Sequence, residues 1–341
     1  MKVLVTGSAG FIGGYLVEEL IEHGHSVVGL DNHSKYGSAV KAYDSSPLYT
    51  RVDGDAKDVE LMKKLAADCD QIVAAAAIIG GISLFHAYAY DLLAENERIL
   101  AATFDAAIWA HKNAKLQKIN VLSSSMVFEN TSTYPTPEGD QMRCPPPSST
   151  YGFQKLSCEY FAKGAFEQYG LPYTIIRPFN CIGIGEKRAL CDKEVMSGNV
   201  KLAMSHVVPD LVQKILKGQD PLHILGEGSQ VRHYTYGGDL AKGIRVCMES
   251  PKALNEDFNI STAQSTTVLE LAELTWKKIH GKDGKPFSFV SDKPYQYDVQ
   301  KRVPDVSKAK RVLGFEATTT LDEAMDEIIP WIKKQIEIGG I

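Results

Sequence analysis

Tyr151 and Lys155 stand four positions apart in a segment whose apolar spacing predicts a helix. Residues at this spacing lie on one face of a helix, so the phenol and the ammonium are expected to be neighbours. The pKa of a phenol is ordinarily about 10, too high for a base at neutral pH. A nearby positive charge favours the phenolate, which can then accept the proton of a substrate hydroxyl. The pair is therefore a candidate for the oxidation of a secondary alcohol.

A run of three serines, Ser123 to Ser125, comes after an apolar segment that precedes this helix in the chain. If that segment is a strand of a parallel sheet, its carboxyl end opens on the ligand crevice. Ser124 is then placed to hydrogen-bond the same hydroxyl and to stabilise the carbonyl that forms. We expect Ser124, Tyr151 and Lys155 to be the catalytic residues, with no metal ion.

The hydride acceptor for such an oxidation is indicated by glycines near the N-terminus. Gly7, Gly10 and Gly13 form a GxxGxxG pattern between a predicted strand and a predicted helix. Glycine permits a tight turn and close approach of the backbone to phosphates, and the helix N-terminus attracts their negative charge. The pattern predicts a dinucleotide site, although the same glycines could form only a turn.

Two carboxylates are expected to select the cofactor. Asp31 ends the second predicted strand, where a carboxylate accepts hydrogen bonds from the adenosine ribose and repels a 2′-phosphate. The four residues that follow, Asn32 to Lys35, include no arginine, which favours NAD over NADP. Asp55 comes after the third strand and is a candidate for the adenine amino group, or else a loop carboxylate or helix cap.

Strands and helices alternate along the first half of the chain, which predicts a doubly wound parallel α/β sheet of the Rossmann type. Regularity fades after residue 179, where we expect a mobile loop at 181–205, with base recognition around 199–202, and a smaller mixed α/β part. We predict a dinucleotide-binding domain at 1–180, to which 231–262 returns, and a substrate domain at 181–341. The predicted strands are Lys2–Thr6, Ser26–Leu30, Tyr49–Val52, Gln71–Ala75, Ile119–Ser123, Tyr173–Arg177 and Leu222–Leu225, and the predicted helices are Phe11–His23, Lys57–Ala67, Asp91–Lys112, Tyr151–Tyr169, Pro209–Lys217, Val268–His280 and Leu321–Ile336.

Composition excludes several classes of protein. The chain has 341 residues, 44% of them hydrophobic and 23% charged, with a net charge of −5. This is globular composition without a clustered basic face, so nucleic acid is not an expected partner. No apolar run reaches membrane-spanning length, and the N-terminus lacks a secretory pattern. The six cysteines form no CxxC pair, which favours free thiols and a cytoplasmic location.

The motifs together resemble the extended short-chain dehydrogenases/reductases, in particular their NAD-dependent epimerase/dehydratase group. The similarity covers nearly the whole chain. It includes the glycine motif with Asp31 and Asn96, the Ser124–Tyr151–Lys155 set, and three later stretches. Those stretches are Arg177–Asn180, Gln230–Tyr234 and Arg302–Asp305, the last continued by Leu313–Phe315.

This resemblance implies contacts of individual residues. The cofactor-binding residues would be Gly7, Gly10, Phe11, Ile12, Gly13, Asp31, Asn32, Asp55, Ala56, Ala76, Asn96, Tyr151 and Lys155. The substrate-binding residues would be Ser125, Asn180, Arg232, Arg302 and Asp305, the arginines on a nucleotide diphosphate. Surface ion pairs for the arginines, and a turn role for Asn180, are the alternatives. Members of the group commonly dimerise through two helices, so we expect a homodimer.

The reaction depends on the two residues after Ser124. In 4,6-dehydratases of this group these are Asp and Glu, whereas here they are Ser125 and Met126, which also counts against a decarboxylase. A 3,5-epimerase would need other acid or base groups, for which His206 and Cys181 are candidates. A 4-epimerase needs only the catalytic set, NAD and room for the 4-keto sugar to rotate. Small residues that would supply that room are Ala76, Ala77, Gly80 and Gly81.

The sequence therefore predicts an NAD-dependent nucleoside-diphosphate-sugar 4-epimerase, with UDP-sugars favoured. The enzymatic alternatives are a 4-dehydrogenase or 4-ketoreductase of such sugars and an NDP-uronate decarboxylase. An alternative outside catalysis is a dinucleotide-sensing binding protein, which relatives of this fold have become after losing the tyrosine or lysine.

Overall fold

The computed structural model describes residues 1–79, 88–187, 195–202, 206–281, 284–293 and 299–341. The strands within these ranges are β1 (Lys2–Thr6), β2 (Ser26–Asp31), β3 (Tyr49–Asp53), β4 (Gln71–Ala74), β5 (Lys118–Leu122), β6 (Tyr173–Pro178), β7 (Cys181–Ile182), β8 (Val195–Ser197), β9 (Val200–Leu202), β10 (Leu222–Leu225), β11 (Val231–Arg232), β12 (Thr235–Tyr236), β13 (Glu256–Ile260), β14 (Thr266–Thr267) and β15 (Phe289–Asp292). The helices are α1 (Phe11–Glu22), α2 (Val59–Ala66), α3 (Ala89–Asn113), α4 (Thr150–Tyr169), α5 (Val207–Leu216), α6 (Gly237–Glu249), α7 (Val268–His280) and α8 (Leu321–Glu337).

Seven parallel strands form the central sheet, in the order β3-β2-β1-β4-β5-β6-β13. The chain runs outward from β1 in one direction and, from β4, in the other. At this reversal the carboxyl ends of β1 and β4 leave a crevice between their loops, where ligands bind in such sheets. The predicted doubly wound α/β fold is confirmed.

Two apolar layers cover the sheet because the strands are buried on both faces. Helices α2, α3 and α4 pack on one face, around side chains such as Ile72, Phe104 and Ile119. Helices α1 and α6 pack on the other, around side chains such as Leu16 and Ile244. The glycine loop and α4 are thereby attached to the same rigid sheet.

A second apolar core lies in the C-terminal part of the chain. Helices α5, α7 and α8 pack together, and α5 also packs on β10, which pairs in parallel with β15. Leu211, Leu271 and Ile328 are fully buried or nearly so in this core. This is the smaller mixed α/β part that the sequence predicts. No described helix is both long and apolar enough to span a bilayer.

Helix starts agree with the capping residues more closely than with the apolar pattern. Asp58 caps α2 by accepting the N–H groups of Glu60 and Leu61, so that helix begins at Val59 rather than Lys57. Ser149 caps α4 by accepting the N–H of Gly152, so α4 begins one residue before Tyr151. Side-chain caps of this kind fix where a helix begins.

The predicted mobile loop at 181–205 contains ordered structure in its described residues. Strand β7 pairs with β12, and β8 and β9 form an antiparallel ribbon. The sequence pattern also fails to predict β13 and α6. Helix α6 contains Gly237, Gly238 and Gly243, which weaken a helical pattern. A Cβ on Gly243 would lie 2.4 Å from Ile260 Cγ2, so this glycine permits α6 to pack against β13.

Candidate active site

The glycine loop has the geometry of a phosphate cradle. Gly7 has a φ of +73°, and its carbonyl oxygen accepts the N–H of Gly10 at 3.1 Å. A Cβ on Gly13 would lie only 2.0 Å from that carbonyl oxygen, so α1 can approach the loop only because residue 13 is glycine. Helix α1 has no side-chain cap and no acidic residue in its first turn. Its first N–H groups and positive dipole end suit a diphosphate.

The Asp31 carboxylate, which the sequence predicts to bind a ribose, lies beside this cradle. It accepts the N–H of Ala9 at 3.0 Å and the N–H of His33 at 2.7 Å, one on each oxygen. Each oxygen keeps a further lone pair for a ribose hydroxyl. His33 has a φ of 55°, which turns the chain back so that its N–H reaches Asp31. The carboxylate is therefore held in place before any ligand binds.

The residues that the sequence analysis assigns to the adenine lie beyond Asp31 in the crevice. Asp55 accepts the N–H of Lys57 at 2.9 Å and lies 3.4 Å from the Asn32 side-chain nitrogen. The Lys57 ammonium pairs with Glu95 of α3 at 2.6 Å. Ala56 lies between these polar groups and is nearly buried. The residues that line the crevice here are Asn32, Asp55, Ala56, Lys57 and Glu95.

Strand β4 ends in a bend that opens the crevice. The Thr6 hydroxyl oxygen accepts the N–H groups of both Ala75 and Ala76, each at 3.1 Å. Asn96 of α3 accepts the N–H of Ile78 at 2.7 Å and donates to its carbonyl oxygen at 3.0 Å. These two side chains hold residues 75–78 away from the sheet, where they form a wall of the cavity.

Tyr151, Lys155 and Ser124 meet where β5 ends and α4 begins. Each is nearly buried, with 8%, 6% and 8% of its surface exposed, and all three line the cavity. The Lys155 ammonium donates to the carbonyl oxygen of Leu122 at 3.0 Å and lies 6.0 Å from the centre of the Tyr151 ring. The Ser124 hydroxyl oxygen accepts the N–H of Met126 at 3.2 Å, which leaves its proton free to be donated to a substrate.

A buried ion pair fixes helix α4 to the sheet. Arg177 of β6 donates to Glu159 of α4 through Nε and a terminal nitrogen, at 2.7 and 2.8 Å. Its guanidinium also pairs with Asp257 of β13 at 2.7 Å. Burial opposes the charge, but the two carboxylates outweigh it and raise the pKa of Arg177. Ser123 donates to Glu159 at 2.7 Å and so belongs to this network, while Ser124 faces the ligand side.

One continuous cavity of about 770 Å³ joins the dinucleotide crevice to the C-terminal part. This lies within the usual range of roughly 300–1,000 Å³ for small-molecule sites. Of the residues that the sequence assigns to cofactor and substrate, the cavity is lined by Gly7, Gly10, Phe11, Ile12, Gly13, Asp31, Asn32, Asp55, Ala56, Ala76, Ser124, Ser125, Tyr151, Lys155, Asn180, Arg232 and Arg302.

A second polar cradle lies across the cavity from the glycine loop. Asn180 has a φ of 41°, and its side-chain nitrogen is buried without a hydrogen-bond partner among the described residues. Its side-chain oxygen lies 3.5 Å from a terminal nitrogen of Arg302. Arg232 is nearly buried and donates to the carbonyl oxygen of Val231 at 2.9 Å. Two guanidinium groups and one buried amide can together bind a diphosphate.

Two assigned residues do not line the cavity. Both polar atoms of the Asn96 side chain are used on Ile78, so Asn96 shapes the wall from behind. The Asp305 carboxylate accepts the N–H of Ser307 at 2.8 Å and caps the turn at that point of the chain. Gly80 and Gly81 lie outside the described residues.

The cavity also brings together side chains that sequence spacing does not connect. Glu186, which is buried, pairs with His206 at the start of α5. Burial acts to raise the pKa of Glu186, but the imidazole outweighs it and holds that pKa below its usual range. Burial, and to a smaller extent the nearby Glu186 carboxylate, raises the pKa of the Cys181 thiol, so this thiol stays protonated at neutral pH.

The far end of the cavity carries two ion pairs that the sequence did not indicate. His223 pairs with Asp292 at 2.9 Å across β10 and β15, and Lys214 pairs with Asp210 at 2.8 Å along α5. Met196 and Ser197 of β8 line this end, whereas residues 199–201 do not. Within the described part of the chain, no cluster of three or more His, Cys, Asp or Glu side chains could hold a metal ion.

Comparison with known proteins identifies the architecture. The profile of the NAD dependent epimerase/dehydratase family matches residues 3–261. The chain belongs to this family. UDP-glucose 4-epimerase of Lactobacillus helveticus is 26% identical over 344 residues, covering 96% of this chain and 95% of that protein. UDP-N-acetyl-alpha-D-glucosaminuronate decarboxylase of Bacillus cytotoxicus is 26% identical over 339 residues, covering 98% of each.

Solved structures agree with this membership. The crystal structure of UDP-glucose 4-epimerase from Thermotoga maritima, with UDP-glucose, has a TM-score of 0.79 and 28% identity. The similarity covers 98% of this chain and 100% of that one. The family resemblance predicted from the motifs, and NAD as the family's cofactor, are confirmed. The relatives include both epimerases and decarboxylases. Membership therefore identifies a family of NAD-dependent sugar-nucleotide enzymes but does not identify the reaction.

Proposed function

We propose that this protein is an NAD-dependent nucleoside-diphosphate-sugar 4-epimerase. The observation that carries the proposal is the meeting of Ser124, Tyr151 and Lys155 on one cavity, beside a glycine cradle that fits a dinucleotide. The glycine cradle would hold NAD, which when bound would supply a hydride acceptor and donor for C4 of the sugar. We also propose residues 1–180, with 231–262, as its binding domain and 181–341 as the substrate domain, since β13 pairs with β6.

The side chains of the protein manage the proton. The Tyr151 oxygen takes the proton of the C4 hydroxyl and gives it back when the alcohol is restored. Lys155 supplies a fixed positive charge, since its ammonium is anchored to the Leu122 carbonyl oxygen. Ser124 donates its proton to the same sugar oxygen and stabilises the carbonyl while it exists. All three groups are withheld from bulk water by burial.

The absence of an acid–base pair after Ser124 supports epimerisation over elimination. Ser125 and Met126 both line the cavity, and neither transfers a proton efficiently at neutral pH. Expulsion of the C6 hydroxyl needs both an acid and a base beside C5 and C6. Epimerisation at C4 needs no group beyond the three already named and space for the ketone to turn.

The nucleotide diphosphate would lie on the second cradle, against Asn180, Arg232 and Arg302. We favour UDP as the nucleotide because the two relatives and the solved structure described above are named for UDP-sugars. Met196 and Ser197 of β8, together with the pair of His223 and Asp292, would surround the base. Asn96 would act as a positioning residue for the wall at Ile78.

We further propose that the protein is a homodimer formed through α3 and α4. These helices pack side by side on one face of the sheet. Their outer surfaces expose Trp109, Phe153 and Phe166, with 37%, 50% and 38% of each side chain accessible. Two copies that join these faces would make a four-helix interface and bury the aromatic rings. A monomeric mass by light scattering at micromolar concentration would remove this proposal.

The decisive experiment monitors the sugar by NMR. The NAD-loaded protein is incubated with UDP-glucose or UDP-galactose, and we expect conversion to a mixture of the two without accumulation of NADH. Tyr151→Phe should lower kcat by at least about a thousandfold, since the proton transfer loses its base. Tyr160→Phe, an exposed tyrosine of the same helix, is the control and should keep wild-type activity.

Two outcomes would count against the proposal. Accumulation of NADH in proportion to the sugar consumed would identify a 4-dehydrogenase. Wild-type turnover by Tyr151→Phe would show that the phenol is not the base.

A further inference from the structure

Glu129 is a carboxylate of the cavity that neither the motif nor the proposed proton transfer uses. It comes directly after a short 3-10 helix, Ser125–Phe128, and keeps helical backbone angles itself. In a 3-10 helix residues three apart lie on the same side, so Glu129 projects on the side of Met126. Both residues line the cavity. The Glu129 side chain therefore lies one 3-10 turn after Met126, on the same side of the backbone.

The carboxylate of Glu129 is held against the start of α4. Its Oε2 atom accepts the N–H of Ser149 at 3.0 Å and the hydroxyl proton of Ser149 at 2.8 Å. A Cβ on Gly152 would lie 2.9 Å from the same oxygen, so the contact with the helix is close. Oε1 has no hydrogen-bond partner among the described residues. One oxygen is therefore fixed, two residues before Tyr151 in the chain, and the other is available to a ligand.

Lys301 is a described cation near Glu129, but it lines a second, smaller pocket rather than the main cavity, and its ammonium lies 5.8 Å from the centre of the Tyr134 ring. The cavity wall here consists of Ser124, Ser125, Met126 and residues 148–150. The ammonium of Lys155 is directed to the Leu122 carbonyl oxygen. Arg232 and Arg302 belong to the diphosphate cradle across the cavity. An anionic group on the sugar would therefore meet the charge of Glu129 in a partly dehydrated space.

We propose that Glu129 makes the enzyme selective for sugars with a neutral C6 group and excludes uronic acids. This inference rests on the proposed function, which places C4 of the sugar beside Ser124 and Tyr151. C6 is carried by the neighbouring carbon C5, within reach of the wall that includes Met126 and Glu129. A hydroxymethyl group can donate to the free carboxylate oxygen, whereas a C6 carboxylate is repelled by it. A built-in repulsion of this kind is a common source of specificity.

The test compares neutral and acidic sugar nucleotides on the full-length, NAD-loaded protein. Dissociation constants are measured by calorimetry for UDP-glucose, UDP-glucuronic acid, GDP-mannose and GDP-mannuronic acid. The two UDP-sugars form one series and the two GDP-sugars form the other. In whichever series binds, we expect the dissociation constant of the neutral sugar nucleotide to be at least about tenfold lower than that of the acidic one. In Glu129→Gln, which keeps the shape of the side chain, the ratio of the acidic to the neutral dissociation constant should fall towards one.

A control variant and a change of salt concentration separate the effect of Glu129 from changes in folding and in net charge. Glu167→Gln removes one exposed carboxylate from α4, the helix that Glu129 contacts, and should leave the ratio unchanged. In the unaltered protein, a rise in salt from about 50 mM to about 500 mM should lower the ratio severalfold, because it screens the repulsion. The diphosphate contacts cancel in the ratio, since both ligands carry the same diphosphate.

The outcomes separate this inference from the proposed function. If the wild-type protein binds the uronic acid as tightly as the neutral sugar, or if Glu129→Gln keeps the wild-type ratio, the inference fails while epimerase activity stands. If no neutral sugar nucleotide binds, the proposed function fails and this inference falls with it.

Discussion

Gly13 and Gly14 are consecutive residues of α1, and they provide a matched test of the phosphate cradle. A Cβ on Gly13 would lie 2.0 Å from the carbonyl oxygen of Gly7, whereas a Cβ on Gly14 would meet only the Tyr43 hydroxyl oxygen, at 3.8 Å. Replacement of either residue by alanine changes helix propensity in the same way. The two variants therefore differ mainly in one contact between α1 and the loop.

The size of each effect can be worked out from this difference. Alanine in place of glycine favours a helix by about 1 kcal/mol, and we expect Gly14→Ala to gain this amount of unfolding free energy. In Gly13→Ala the helix and the loop must separate by about 1 Å, since Cβ contacts below 3.0 Å essentially never occur. Overpacking of this kind costs about 1–3 kcal/mol, and rigid backbone lies on both sides. After the helix gain of about 1 kcal/mol is subtracted, the net change for Gly13→Ala is a loss of up to about 2 kcal/mol.

The same displacement weakens cofactor binding. It moves the first N–H groups of α1 away from the diphosphate, and a hydrogen bond to a charged group is worth about 1.5–3 kcal/mol. We therefore expect NAD to bind Gly13→Ala roughly 10- to 100-fold more weakly. Gly14→Ala should bind NAD as the wild-type protein does. Urea unfolding of the NAD-free proteins and calorimetric titration with NAD measure both quantities, and equal results for the two variants would refute the packing argument.

Three further predictions concern the elements around the cavity. In Gly152→Ala, a Cβ 2.8 Å from the Met126 carbonyl oxygen should displace the start of α4 and lower kcat about tenfold or more, with NAD affinity retained; an unchanged kcat would contradict this. Burial lowers the pKa of Lys118 to about 8, so wild-type stability should rise as Lys118 deprotonates between about pH 8 and 10. The advantage of Lys118→Met in unfolding free energy should therefore shrink by about 2–3 kcal/mol from pH 7 to pH 10, and a pH-independent difference would refute the assignment. Asn96→Ala removes both hydrogen bonds to Ile78 and should cost about 2 kcal/mol together with weaker NAD binding; retention of both stability and affinity would show that the clamp is dispensable.

Much of the fold was predictable because its signals are local. The glycine spacing, the apolar runs of β1 to β6 and the position of Asp31 at a strand end all depend on residues close in sequence. The common helical face of Tyr151 and Lys155 depends only on their spacing. Elements β13 and α6 escaped prediction because acidic residues open the strand and glycines interrupt the helix, and their stability comes from neighbours across the sheet.

The sequence by itself determined the dinucleotide cradle, the tyrosine–lysine pair and the family. Only the tertiary structure decided that Asn96 supports the wall at Ile78, that Asp305 caps a turn, and that Glu129 faces the cavity. Glu186 and His206 likewise meet through the fold. The reason is that a side chain's partner depends on distances between segments far apart in the chain, and residue spacing fixes such distances only within one helix or strand.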